Sequence, residues 1–142
     1  MTKVNKHKAL QEWVSAFLTD NYLYFETADA YPGVRTIVPN YGDYTDKTDI
    51  LGNKYKSYTF MFVAFEKIDT GTSDVNVRNM QLMDTFNEWL EVQQETLSFP
   101  NFGENCSEYE IEILQNMANL AMITDDGLAK YMLGTKIKYK EA

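Results

Sequence analysis

The sequence predicts an α+β fold, and three observations carry that prediction. Leu10, Trp13, Val14, Phe17 and Leu18 recur at helical spacing near the start, and Met80, Met83, Phe86, Leu90 and Leu97 mark a second, longer helical stripe. Between and after these stripes, residues 58–65, 109–113 and 136–140 carry the short, apolar or strictly alternating patterns of strands. A chain of 142 residues fits one domain, spanning residues 1–142. It is large enough to bury roughly two-thirds of its unfolded surface without disulfides or a structural metal.

In chain order, the first helix is amphipathic, with Gln11, Glu12 and Ser15 opposite its apolar face, and Asp20-Asn21 is expected to end it. Aromatic and apolar residues then crowd at strand length in 22–27. A second β-rich run covers 34–38 after the turn signal Tyr31-Pro32-Gly33, so the two runs are expected to pair as a hairpin. Residues 40–56 are polar and rich in Tyr, Asp and Lys, and read as a long exposed loop whose Asp-rich part is able to form an extended edge. Residues 58–65 place apolar side chains on both alternating sets, as in a central strand covered on both sides. Residues 70–74 supply turn and N-cap chemistry for the long helix, which Trp89 widens and Pro100 and Gly103 stop. Tyr109, Ile111 and Ile113 alternate with Glu108, Glu110 and Glu112, giving a half-buried strand that Asn116 and Asn119 interrupt. Asp125-Asp126-Gly127 then turns the chain into a returning antiparallel strand, 136–140, whose three lysines face the three glutamates.

The net charge of −8 and pI near 4.6 disfavour any activity resting on attraction to nucleic-acid phosphates. Acidity suits either plain solubility or a surface that DNA slides past without sticking. The basic, polar residues 1–8 and the interrupted run 9–18 form neither a signal-peptide core nor a spanning helix, so no membrane association is expected. Cys106 is the only cysteine, which excludes an intrachain disulfide and suits a cytoplasmic setting. Flanked by Glu104 and Glu108, it reads as a small, partly buried residue rather than a nucleophile. His7, the only histidine, reads as a frayed surface residue and has no second histidine with which to build a metal centre. Asp43, Asp46 and Asp49 recur every three residues, whereas calcium loops place ligands at alternate positions. Accordingly no catalytic residues, metal ligands or cofactor are assigned. The methionines read as core. The tyrosines concentrated in the first half leave two readings open, an interface or ordinary edge-strand tyrosine. Tyr41, Asp43, Tyr44, Asp46, Asp49 and Tyr55 are therefore the contact candidates.

Four features carry a resemblance to a known family: the order of segments, Ile37-Val38-Pro39-Asn40-Tyr41-Gly42-Asp43, the run Asn101-Phe102-Gly103-Glu104-Asn105-Cys106, and Leu114-Gln115-Asn116-Met117-Ala118-Asn119-Leu120-Ala121. Together they resemble the tail terminator, or minor capsid, proteins of phages infecting Gram-positive bacteria, over nearly the whole chain. Ala118 departs from the proline that many relatives carry.

The resemblance implies helices packed on a mostly antiparallel sheet and a homohexameric ring that caps the tail tube, stops its growth and forms the surface joined to the DNA-filled head. It implies a virion protein of the head–tail junction, present in the host cytoplasm during assembly, whose partners are itself, the tail tube protein and head–tail connector proteins. DNA passes through without specific binding. On that basis the contact candidates face a neighbouring subunit or the tube, and Glu108, Glu110 and Glu112 either line the channel or pair with Lys136, Lys138 and Lys140. Two alternatives stand beside it: a neck or head-completion protein of the same virion, and a small α+β ligand-binding domain or enzyme with an aromatic pocket lined by Tyr58, Phe60, Phe62, Trp89 and Tyr109.

Overall fold

The computed structural model describes residues 5–18, 23–25, 34–67, 74–114, 119–123 and 127–142. Along the chain run α1 (Lys6–Ser15), β1 (Leu23–Phe25), β2 (Arg35–Thr48), β3 (Lys54–Lys67), α2 (Asp74–Glu95), β4 (Cys106–Ile113), β5 (Asn119–Ile123) and β6 (Leu128–Glu141). The architecture is α+β, as expected. The strands form one sheet in the order β1-β2-β3-β6-β4, with β5 also paired to β6. All pairings are antiparallel except that of β1 with β2.

Alternation along β3 decides where the core lies. Tyr58, Phe60, Phe62 and Ala64 point to one face and are almost fully buried with Ile37 of β2 and Tyr131, Leu133, Ile137 and Tyr139 of β6. Onto that face α2 lays Met83, Phe86 and Leu90, and α1 lays Leu10, Trp13 and Val14. Phe86 stacks on Phe62 with ring centroids 4.1 Å apart, and Trp13 meets Trp89 at 4.8 Å. Of the aromatic residues considered as a pocket lining, Tyr58, Phe60 and Phe62 are buried in the core, and Trp89 and Tyr109 pack against it partly buried. Ser57, Thr59 and Val63 are buried on the other face of β3, so the expected central strand is found with both sets covered.

The Phe-Gly-Glu-Asn-Cys run has a packing explanation. Phe102 inserts among Tyr58, Tyr109 and Tyr139, 4.9 Å from the last, and its backbone N–H donates to the Tyr109 hydroxyl at 3.2 Å. Gly103, at φ 137°, turns the chain where a side chain would be strained. Asn105 then clasps the C-terminal strand, accepting from Ala142 N–H at 3.0 Å while its amide donates to the Ala142 carbonyl at 3.2 Å.

Several expectations are corrected. β1 and β2 are strands but not a hairpin: Leu23 lies opposite Arg35 and Phe25 opposite Ile37 in parallel, and tight turns join only antiparallel strands. Residues 40–56 are not one long loop: only 49–53 turn, while the Asp-rich part is extended as allowed for, and 40–48 and 54–56 are strand. They form the outer halves of β2 and β3, paired through Thr48 and Lys54, with register shifts between Pro39 and Gly42 and between Thr45 and Lys47. Those bulges break the two-residue alternation by which a strand is recognised. His7 is not frayed, because it sits within α1, which Asn5 caps by accepting from Lys8 N–H; its Nδ1 lies 2.5 Å from the Tyr58 hydroxyl. The second helical stripe ends early: α2 stops at Glu95, and Leu97, at φ 55°, is exposed rather than buried. The expected signals at Asp20-Asn21, Tyr31-Pro32-Gly33, residues 70–73, Asn116, Ala118 and Asp125-Asp126 lie outside the described residues.

Candidate interaction surface

The outer halves of β2 and β3 make a two-stranded arm. Among the described residues β1 pairs with β2 only as far as Ile37, so Pro39 lies beyond that ladder, where its missing N–H is tolerated. The arm ends in a turn built by one side chain. The Asp49 carboxylate accepts from the backbone N–H groups of Leu51 (3.0 Å) and Asn53 (2.9 Å) and from the Asn53 amide (3.1 Å). Backbone bonds from Asp49 to Asn53 and from Gly52 to Asp49 close the turn, and Gly52 supplies φ 86°. Hydrogen bonding from the Asn53 side chain, with the backbone donors, holds the Asp49 carboxyl below the ordinary range. What this fixed turn presents is apolar: Ile50 is 100 % exposed and Leu51 85 % exposed. Burying two such side chains against a partner would be worth about 1.5–3 kcal/mol each. Sequence reasoning missed the pair because it sits inside a polar run. The available signal was two large aliphatics in turn positions that ordinarily carry small or polar residues.

At the root of the arm, charge is neutralised inside the subunit. Lys6 Nζ contacts Asp43 (3.2 Å) and Glu141 (2.7 Å), Lys56 Nζ contacts the same two carboxylates (2.8 and 3.7 Å), and the Tyr139 hydroxyl donates to Asp43. Burial alone would lower the Lys6 pKa, but its hydrogen bonds to Glu141 and Tyr139 outweigh that and raise it. Burial opposes ionisation of Asp43 too, and the Lys56 and Tyr139 hydrogen bonds again win and lower its pKa. Burial, then the bond to Asp43, raises the Tyr139 pKa. The Lys6 hydrogen bond lowers that of Glu141. Burial pushes the Cys106 thiol up to about 11, so at neutral pH it is protonated rather than the thiolate that nucleophilic chemistry needs. Five elements meet here: α1, β2, β3, β6 and, through the Cys106 thiol 3.6 Å from Glu141, β4.

The contact candidates therefore separate. Asp43 points into this ion-pair cluster, and Asp49 builds the turn. Tyr44, Asp46 and Tyr55 lie with Lys47 on the sheet face opposite the helices, or at its margin. There Asp46 accepts from Ser57 Oγ at 2.5 Å, Lys47 lies 4.8 Å above the Tyr55 ring, and Lys136 lies 6.0 Å above that of Tyr44. Tyr41 belongs to β2, and its side chain is outside the described set.

On the same face, Glu110 is in register with Lys138 and Glu112 with Lys136, and Lys138 Nζ contacts Glu112 at 3.1 Å. Glu108 sits at φ 54° in the bulge between Ser107 and Glu110. A groove of about 410 Å³ runs between Asp46, Tyr55, Glu108, Glu110, Lys138 and Lys140. The glutamates thus form a field interleaved with lysines, not an unbroken negative wall.

Among the described residues no group of three or more His, Cys, Asp or Glu is placed to hold a metal ion, and no helix is long and apolar enough to cross a membrane. No protein-family model matches the chain, and no curated protein matches it either.

Proposed function

We propose that this chain is a structural virion protein of the tail terminator kind, which assembles as a ring on the end of a phage tail tube, stops tube growth and forms the surface joined to the head. Two observations support this assignment. The helices lie on one face of a mostly antiparallel sheet, which is the arrangement the family resemblance implies. The observation that carries it is the arm: a turn fixed by Asp49 holds Ile50 fully and Leu51 largely in water, an unfavourable surface for a chain that never meets a partner.

Capping requires binding and shape, not bond chemistry. A head-to-tail ring needs two different complementary patches on each subunit and a rotation that closes. The arm supplies one patch. Channel-facing glutamates remain part of the proposal for Glu108 and Glu110, whereas Glu112 shares its charge with Lys138.

Electron microscopy of phage lacking the gene tests the assignment. A terminator predicts DNA-filled heads beside separate, abnormally long tubes, because an uncapped end continues to recruit subunits. Normal-length tails would refute it. Leaking or empty heads beside normal tails would move the protein to the neck or head-completion position.

A further inference from the structure

The apolar arm tip has a complementary groove elsewhere on the same molecule. Between α2 and the edge strand β4, Leu90, Ile111 and Ile113 line a groove of about 240 Å³, whose rim carries Glu91 and Glu95. Gln94 holds its side by accepting from Ile111 N–H at 2.7 Å. A cavity of roughly 150 Å³ takes a benzene ring, so this groove has room for an isoleucine and a leucine.

The charges complement as well. The tip is flanked by exposed Lys47 and Lys54, and the groove by exposed Glu91 and Glu95. The tip cannot fill the groove of its own subunit. It lies beyond Lys54, opposite Glu141, whereas Ile111 lies opposite Ile137, which is itself opposite Tyr58. That is four residues back along β3, on the order of 13 Å, and two strands across.

We infer that Ile50 and Leu51 of one copy dock into the α2–β4 groove of a second copy of this chain, with Lys47 and Lys54 meeting Glu91 and Glu95. Knob and groove are different surfaces, so the contact is head-to-tail and propagates until it closes. The inference rests on the self-association in the proposed function and names the surfaces that make it.

Sedimentation of mixed variants tests it. Ile50→Asp with Leu51→Asp blocks the tip, and Glu91→Lys with Glu95→Lys blocks the groove; all four positions are exposed, and circular dichroism and melting curves should match the unmodified chain. The unmodified chain should form species larger than a dimer, and each variant alone should be a monomer, its association weakened roughly 100-fold or more. Mixed in equal amounts, the two variants should form a 1:1 dimer that grows no further, because only one tip and one groove remain intact. Adding Lys47→Glu and Lys54→Glu to the groove variant should restore larger species.

A monomeric unmodified chain, a tip variant with unchanged mass, or a mixture that stays monomeric would each overturn the inference. If the tip variant self-associates normally but no longer binds tail tube protein, the partner of the tip is the tube and not a second copy, and the inference is overturned. Knockout micrographs judge the tail assignment and sedimentation judges this contact, so the two fail separately.

Discussion

Replacing Asp43 with alanine separates a structural role from a contact role. Asp43 is held by Lys6 at 3.2 Å, Lys56 at 2.8 Å and the Tyr139 hydroxyl, and its side chain is 18 % exposed. Its removal leaves two ammonium groups to share Glu141 and strips the tyrosine of its acceptor. Breaking a fully buried pair costs about 3–5 kcal/mol, and partial exposure screens it, so we expect a loss of about 2 kcal/mol. For a chain of this size that lowers Tm by about 4–8 °C. In a double-mutant cycle with Lys56→Met, the coupling should be about 1 kcal/mol or more. Thermal and urea unfolding measure both. If the variant unfolds within about 0.5 kcal/mol of the parent but no longer self-associates, Asp43 is a contact residue and the cluster is not what anchors the arm.

The same cluster sets the pH dependence. Asp43 and Glu141 have lowered folded pKa values, so their contribution is complete above the unfolded carboxylate range, about 4, and is lost as pH falls through the folded values. Lys6 and Tyr139 have raised values, so theirs is complete below about 10 and is lost as pH rises further. Stability should therefore be flat between about pH 5 and 9, and Asp43→Asn should flatten the acid limb. An unchanged acid limb in that variant would remove Asp43 from this account.

Phe102→Ala empties a site 2 % exposed among three tyrosine rings and should cost about 3–5 kcal/mol in urea unfolding. Leu97→Gly should stabilise by about 1 kcal/mol, because φ 55° penalises any side chain and this one is 72 % exposed. Gly52→Ala should destabilise by about 1 kcal/mol through φ 86° alone, since a Cβ there meets no atom within 4 Å. Chelation should leave Tm unchanged.

What was legible in the sequence depended on whether a period survived. Tyr58, Phe60 and Phe62 on β3, and Tyr109, Ile111 and Ile113 on β4, keep alternation intact, and each was placed correctly on its strand. Residues 40–56 read as a loop because two bulges shift the inward set, so Asp43 faces the core side while Tyr44 and Asp46 face away. His7 and Lys6 were invisible for another reason. Their partners, Tyr58 and Glu141, are 51 and 135 residues away, and only the sheet register brings them together.

The arm tip marks the limit of reading by composition. Averaged over its surroundings, Ile50-Leu51 disappears into a polar segment. Read position by position, it is an apolar pair between an Asx-type turn residue and a glycine. A turn in water selects small and polar side chains, so a turn that spends its most exposed positions on aliphatics is shaped by something other than its own folding. The Asp49 bonds fix the backbone before any partner arrives, which limits the ordering cost of association. That combination of a rigid backbone and apolar side chains is what a docking knob requires, and it is the reason the proposed contact between copies is placed at this turn.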